Sequence, residues 1–143
     1  MVKTIEWAEG RVRILDQCRL PLEITYIECT DYRMVADCIK NMNIRGAPAI
    51  GIAAAMGTAL GAAELKAKNF DEFMNALQPV FDTLLSTRPT AVNIKWALDR
   101  IKNLLNSKRT EPVDALKQLL IDEAINILNE DIEVNKAIGR WGA

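Results

Sequence analysis

Hydrophobic and polar positions change their rhythm near residue 30. Before that point apolar and polar residues alternate: Thr4-Ile5-Glu6-Trp7 and Arg11-Val12-Arg13-Ile14-Leu15 flank Ala8-Glu9-Gly10, a short connector containing glycine. Alternation on both sides of a tight connector predicts a hairpin. A third strand is predicted over Ile24 to Cys29, after the break at Leu20-Pro21. Three short strands are marginal alone and need a helix over one face.

From Thr30 onward the spacing is helical. Thr30 or Asp31 can cap a helix running to about Met42, with Met34, Val35, Cys38 and Ile39 on one face. A second helix is predicted in the run from Gly46 to Ala63, 18 residues without a charge, ending near Lys66-Ala67-Lys68 where cations suit the negative end of the helix dipole. That run reaches the lower limit for a membrane span. Its residues argue otherwise, since only Ile50, Ile52, Met56 and Leu60 supply bulk among small neighbours. An interior glycine costs about 1 kcal/mol relative to alanine, so Gly51, Gly57 and Gly61 imply that other backbones approach closely. This is expected to be the central, buried helix.

Asn69 with Glu72 resembles a capping box, and Phe70, Phe73, Met74, Leu77, Val80, Phe81, Leu84 and Leu85 behind it keep helical spacing, with Pro79 expected to kink the helix. A fourth helix starts after Arg88-Pro89 and carries Ile94, Ala97, Leu98, Ile101, Leu104 and Leu105. A fifth, from about Pro112 to Ile138, is expected to stop at Gly139; with more than one apolar stripe it either docks on its own bundle or connects to another domain. The pattern therefore predicts an α+β fold: a three-stranded antiparallel β-meander over 1–30, then a five-helix bundle over 31–143.

A chain of 143 residues fits one domain and can bury roughly two thirds of its unfolded surface. With 18 basic and 19 acidic residues there is no overall electrostatic pull toward nucleic acid or an anionic membrane, so an anion site must be local. Charges interrupt the first 18 residues every few positions, which leaves no signal-peptide core and points to a cytoplasmic chain. Cys18, Cys29 and Cys38 are odd in number and form no CxxC pair, which argues against a disulfide framework or a zinc site and for reduced packing residues. Histidine is absent, which removes Ser-His-Asp and Cys-His catalysis.

The candidate chemistry lies in Asn43-Ile44-Arg45-Gly46-Ala47-Pro48-Ala49-Ile50-Gly51. Ala47 precedes proline and is expected outside the helical region, whereas Pro48 suits the first helical position. Arg45 and Gly46 would then sit just before a helix N-terminus. Arg88 before Pro89 repeats the device. Free N–H groups at a helix start, with a guanidinium beside them, match the oxygens of a phosphate. Spacing alone leaves open whether the two arginines form such a cradle or are ordinary loop residues.

NIRGAPAIGIAAAMG, STRPTAVNIKWALDR (Ser86 to Arg100) and EDIEVNKAIGRWGA (Glu130 to Ala143) together resemble the N-terminal domain of one particular family. It joins methylthioribose-1-phosphate isomerases, ribose-1,5-bisphosphate isomerases and the regulatory subunits of a translation initiation factor's nucleotide-exchange complex. TIEW (Thr4 to Trp7) and LDQCRLP (Leu15 to Pro21) resemble the methylthioribose-1-phosphate isomerases specifically. The resemblance implies an aldose–ketose isomerisation in methionine salvage on a phosphorylated pentose, without metal or organic cofactor, in a protein that is usually a homodimer. It implies substrate-binding roles for Arg45, Gly46, Ala47 and Arg88. It also implies that the catalytic cysteine and aspartate belong to a C-terminal Rossmann-like domain beginning just after Gly139 to Ala143. Cys18, Cys29 and Cys38 match none of the catalytic positions, so no catalytic residue is assigned in this chain, which is expected to be inactive alone. Trp141 stands where the family usually has histidine. A regulatory module without catalysis and a helical scaffold without a ligand are the competing expectations, and TIEW and LDQ favour the enzyme.

Overall fold

The structure, a computed structural model, describes residues 4–18, 22, 24–44, 46–88 and 92–142, of which 47 and 134–142 are described in backbone only. Strands β1 (Ile5–Ala8), β2 (Arg11–Leu15) and β3 (Tyr26–Cys29) form an antiparallel sheet in the order β1-β2-β3. Glu9 and Gly10 turn the hairpin with φ of 52° and 77°, the left-handed pair that a type I′ turn needs. Pairing Ile5 with Ile14, and Val12 with Trp7 and Cys29, puts the apolar residues on one face. On the other face Arg13 lies between Glu6 and Glu28, at 3.4 and 2.7 Å. The hydrogen bond that Arg13 donates to Glu28 is the main cause that raises the Arg13 pKa. The third strand is shorter than the sequence pattern suggests, since Ile24 and Thr25 precede it.

Five helices follow: α1 (Tyr32–Lys40), α2 (Ala47–Ala63), α3 (Phe70–Ser86), α4 (Val92–Asn106) and α5 (Val113–Gly142). Asp31 caps α1, its Oδ1 accepting from the Arg33 and Met34 amides at 2.7 and 3.1 Å. Asn69 caps α3 by accepting from the Glu72 amide at 2.9 Å, while the Glu72 carboxylate reaches back one residue further than the usual box, to the Lys68 amide at 2.8 Å. Pro79 is accommodated inside α3, which runs unbroken to Ser86.

Helix α2 is the centre of the molecule. It packs against all four other helices and against β1 and β2, while α1 covers β3. Every residue from Ile50 to Ala62 is buried. Its glycines serve two purposes. A Cβ on Gly51 would stand 3.1 Å from the backbone oxygen of Asn93, the close backbone approach expected. Gly57 and Gly61 instead make room for side chains, Leu84 and Val35 at one, Val80 and Tyr32 at the other. Among the described residues no helix is long and apolar enough to cross a membrane.

Two helix C-termini differ from expectation. Helix α2 stops at Ala63, short of Lys66, and the cation at its C-terminus is Lys117 of α5, whose Nζ donates to the Leu65 and Ala63 carbonyls at 2.5 and 3.5 Å. Helix α5 continues through Gly139 to Gly142. Glycine weakens a helix interior without forbidding it, and it ends a helix where it adopts the left-handed conformation. The α5 face carrying Leu116, Leu120, Ala124 and Ile127 is buried on the bundle, so over this part the helix docks on its own domain.

Candidate functional site: the paired starts of two helices

The segment leading to α2 is fixed at both ends. Helix α1 closes with the Met42 amide donating to the Ile39 carbonyl at 3.3 Å and the Asn43 amide donating to the Cys38 carbonyl at 2.9 Å. These are the two bonds of a Schellman motif, with Met42 in the left-handed position at φ 64° that glycine usually takes. From the other side, the end of β2 holds the loop: Gln17 donates its amide to the Asn43 carbonyl at 2.9 Å. The buried Asp16 accepts from the Asn43 side chain and the Cys18 amide at 3.1 and 3.0 Å. Cys18 Sγ donates to the Met42 carbonyl at 3.5 Å.

Gly46 is the N-cap of α2, with φ 94° and ψ 134° and no capping side chain. The space where its Cβ would stand is open among the described residues. Ala47 is the first helical residue, one earlier than the proline rule suggests; Gly46 makes the sharp turn, and the bias against helical backbone before proline yields to it. Arg45 lies outside the described residues, as do the Ala47 side chain and Pro89, Thr90 and Ala91. Arg88, half-buried, directly follows Thr87, whose hydroxyl donates to the Leu84 carbonyl at 2.6 Å and caps α3. Among the described residues no carboxylate forms an ion pair with Arg88.

The contact between Gly51 and Asn93 sets the first turns of α2 and α4 side by side. There they open a cleft of about 310 Å³, with Pro48 and Gly51 on one wall, Asn93, Trp96 and Arg100 on another, and Ile127, Glu130 and Asp131 of α5 opposite. Arg100 ties α4 to α5 through ion pairs to Glu123 at 2.7 Å and Glu130 at 2.6 Å, and its guanidinium lies 5.4 Å from the Trp96 ring centre. The hydrogen bond that Arg100 donates to Glu130 is the largest cause raising the Arg100 pKa, against the opposing effect of partial burial. The positive charge of Arg100 is thus already matched, and the α5 wall is acidic. A phosphate is disfavoured on that wall and favoured toward the two helix starts. Among the described residues no group of three or more cysteine, aspartate or glutamate side chains is placed to hold a metal ion.

Of the residues the sequence singles out, Gly46 stands at the start of α2 and Arg88 just beyond the end of α3, whereas Asp16, Asn93, Trp96 and Arg100 were not singled out. Asp16 stood inside a motif already noticed, LDQCRLP, but its partner Asn43 is 27 residues away. Arg100 and Glu130 are 30 residues apart on different helices, a distance over which spacing carries no signal.

Residues 43–143, which begin at Asn43 and take in both helix starts, match the Initiation factor 2 subunit family. The chain belongs to that family. It is 50% identical over 141 residues to a protein of Geobacter sulfurreducens named methylthioribose-1-phosphate isomerase, covering 99% of this chain and 41% of that protein. Among solved structures, 5-methylthioribose 1-phosphate isomerase from Pyrococcus horikoshii superposes with a TM-score of 0.93 at 42% identity, over 99% of this chain and 40% of that one. The delta subunit of translation initiation factor eIF-2B from A. fulgidus superposes with a TM-score of 0.82 at 38% identity, over 93% and 38%. The fold of this domain, a three-stranded antiparallel sheet followed by five helices, is therefore shared between named isomerases and a named translation factor subunit, and the chain spans about 41% of the length of the isomerases it matches.

Proposed function

We propose that this chain is the N-terminal, substrate-binding portion of a sugar-phosphate isomerase converting 5-methylthioribose 1-phosphate to 5-methylthioribulose 1-phosphate, a step of methionine salvage. The observation that carries the reading is the side-by-side placement of the α2 and α4 starts, with open space beside Gly46 among the described residues. In this reading the phosphate accepts from N–H groups at the start of α2, next to Gly46 and Ala47, and from the guanidinium groups of Arg45 and Arg88. The acidic α5 wall keeps the phosphate at the helix starts, and the uncharged part of the sugar extends into the cleft beside Trp96. The names of the relatives at 50% and 42% identity support the substrate.

The acid–base chemistry is assigned to a further domain, so the 143-residue chain is expected not to turn substrate over by itself. The likeness to the eIF-2B delta subunit favours a second reading, a regulatory module without catalysis. Calorimetry and turnover on the protein at the full length of its isomerase relatives separate these. Binding and conversion of methylthioribose 1-phosphate support the enzyme, conversion of ribose 1,5-bisphosphate alone moves the substrate, and no conversion of either supports the regulator. Arg88→Ala is expected to weaken binding at least about tenfold, the loss of one charge-assisted contact. Unchanged affinity would overturn the cradle.

A further inference from the structure

The three cysteines converge on the end of α1. Cys18 touches the Met42 carbonyl, and Cys29 at the end of β3 faces Cys38 on α1 with the sulfurs 3.9 Å apart. Both of the latter are buried and reduced, at 0% and 4% exposure. Only Thr30 and Asp31 separate their two elements, so a bond between the cysteines would close a short loop. Sulfurs bonded in a disulfide stand about 2.0 Å apart, so the two sulfurs need to approach by about 2 Å to bond. Cys38 also holds the candidate-site loop directly, its carbonyl accepting from the amides of Asn43 at 2.9 Å and Ile44 at 3.4 Å.

We infer that Cys29 and Cys38 are a hydroperoxide-oxidisable dithiol whose disulfide staples β3 to α1 and stiffens the loop leading to Gly46. The step balances. Cys38 Sγ attacks a peroxide oxygen; the O–O bond breaks, an S–O bond forms and water leaves after protonation. Cys29 Sγ gives up its proton and attacks Cys38 Sγ; the S–O bond breaks, the S–S bond forms and a second water leaves. Two thiols and one peroxide thus give one disulfide and two waters. Hydrogen bonding within the pair supports this order, lowering the Cys38 thiol and raising that of Cys29, whose burial adds to the rise. The sulfurs are buried, so a small oxidant such as hydrogen peroxide is the chemical class that fits them.

The test treats the folded 143-residue chain with hydrogen peroxide, quenches with an alkylating agent and reads intact mass and cross-linked peptides. The expected product has lost two hydrogens and carries a Cys29–Cys38 cross-link, in the wild type and equally in Cys18→Ser, which removes the exposed thiol and keeps a hydroxyl donor toward the Met42 carbonyl. In the oxidised chain the Asn43 and Ile44 amides are expected to exchange about tenfold more slowly. Oxygen addition at Cys18 with Cys29 and Cys38 both alkylated after unfolding would overturn the dithiol. A cross-link with unchanged exchange at Asn43 and Ile44 would overturn the stiffening.

Discussion

The side-chain amide of Asn43 donates to the carboxylate of Asp16 at 3.1 Å, joining the end of β2 to the segment that enters α2. Asp16 is 7% exposed and also accepts from the Cys18 amide. Removing the carboxylate leaves the half-buried Asn43 side chain and the Cys18 amide without this acceptor, so Asp16→Ala is expected to cost about 1–3 kcal/mol. Asp16→Asn keeps one oxygen and should cost less. Urea denaturation of the three proteins checks this, and an Asp16→Ala loss under about 0.5 kcal/mol would show that the loop is held by backbone bonds alone.

How much of this was legible beforehand depends on the range of the interaction. Asp31, Asn69 and the Glu9-Gly10 turn act within four residues, and each stood where the pattern placed it, to within a residue. The burial of α2 was readable because small residues fill it on every side. What the sequence hid was reach across the bundle. Lys117 supplies the α2 C-terminus from 52 residues away, and nothing near Ala63 announces it. The end of α5 was misjudged because glycine has two roles, helix stop and tolerated interior residue, and only φ distinguishes them. At the site, the helix starts were legible from proline and glycine, whereas the cleft between them exists only once Gly51 meets Asn93.

Gly61 is the tightest of the α2 glycines. A Cβ there would stand 2.7 and 2.8 Å from the two methyl carbons of Val80 and 3.2 Å from the Tyr32 ring. Alanine would add about 1 kcal/mol of helix propensity, but Val80 is stiff at χ1 and already fully packed. Overpacking is expected to win, with Gly61→Ala destabilising by about 1–3 kcal/mol. Val80→Ala in the same chain should recover part of that loss, measured as a double-mutant cycle in urea. Additive effects would show that the clash is relieved by a helix shift.

Met42 carries backbone strain at the exit from α1. Its φ of 64° lies in the left-handed region, which costs a side-chain-bearing residue about 1–2 kcal/mol, and its side chain is 44% exposed. Met42→Gly removes the strain and gives the Schellman motif its preferred residue, against a larger entropy loss on folding. The expected balance is a gain of about 0.5–1 kcal/mol, read as a rise in thermal midpoint. A fall would mean that the Met42 side chain contributes more packing than its exposure suggests.

Arg100 divides its charge unequally between two carboxylates. Glu123 is 13% exposed in its side chain and Glu130 is 59% exposed, so solvent screens the second pair far more than the first despite the similar distances. A double-mutant cycle between Arg100 and Glu123 is expected to give a coupling of about 1–3 kcal/mol, and one between Arg100 and Glu130 about 0–1 kcal/mol. The pH dependence follows from the sign of the shift. Hydrogen bonding, to Glu130 first, raises the Arg100 pKa above its ordinary value, so the stability this arginine contributes is present at every pH below that ordinary value and is lost only as pH rises through the higher, folded-state one. Both couplings should therefore be the same at about pH 6 and pH 9. Arg100→Met should also change the fluorescence of Trp96, whose ring it stacks against. Equal couplings to Glu123 and Glu130 would show that burial does not set the strength of this pair.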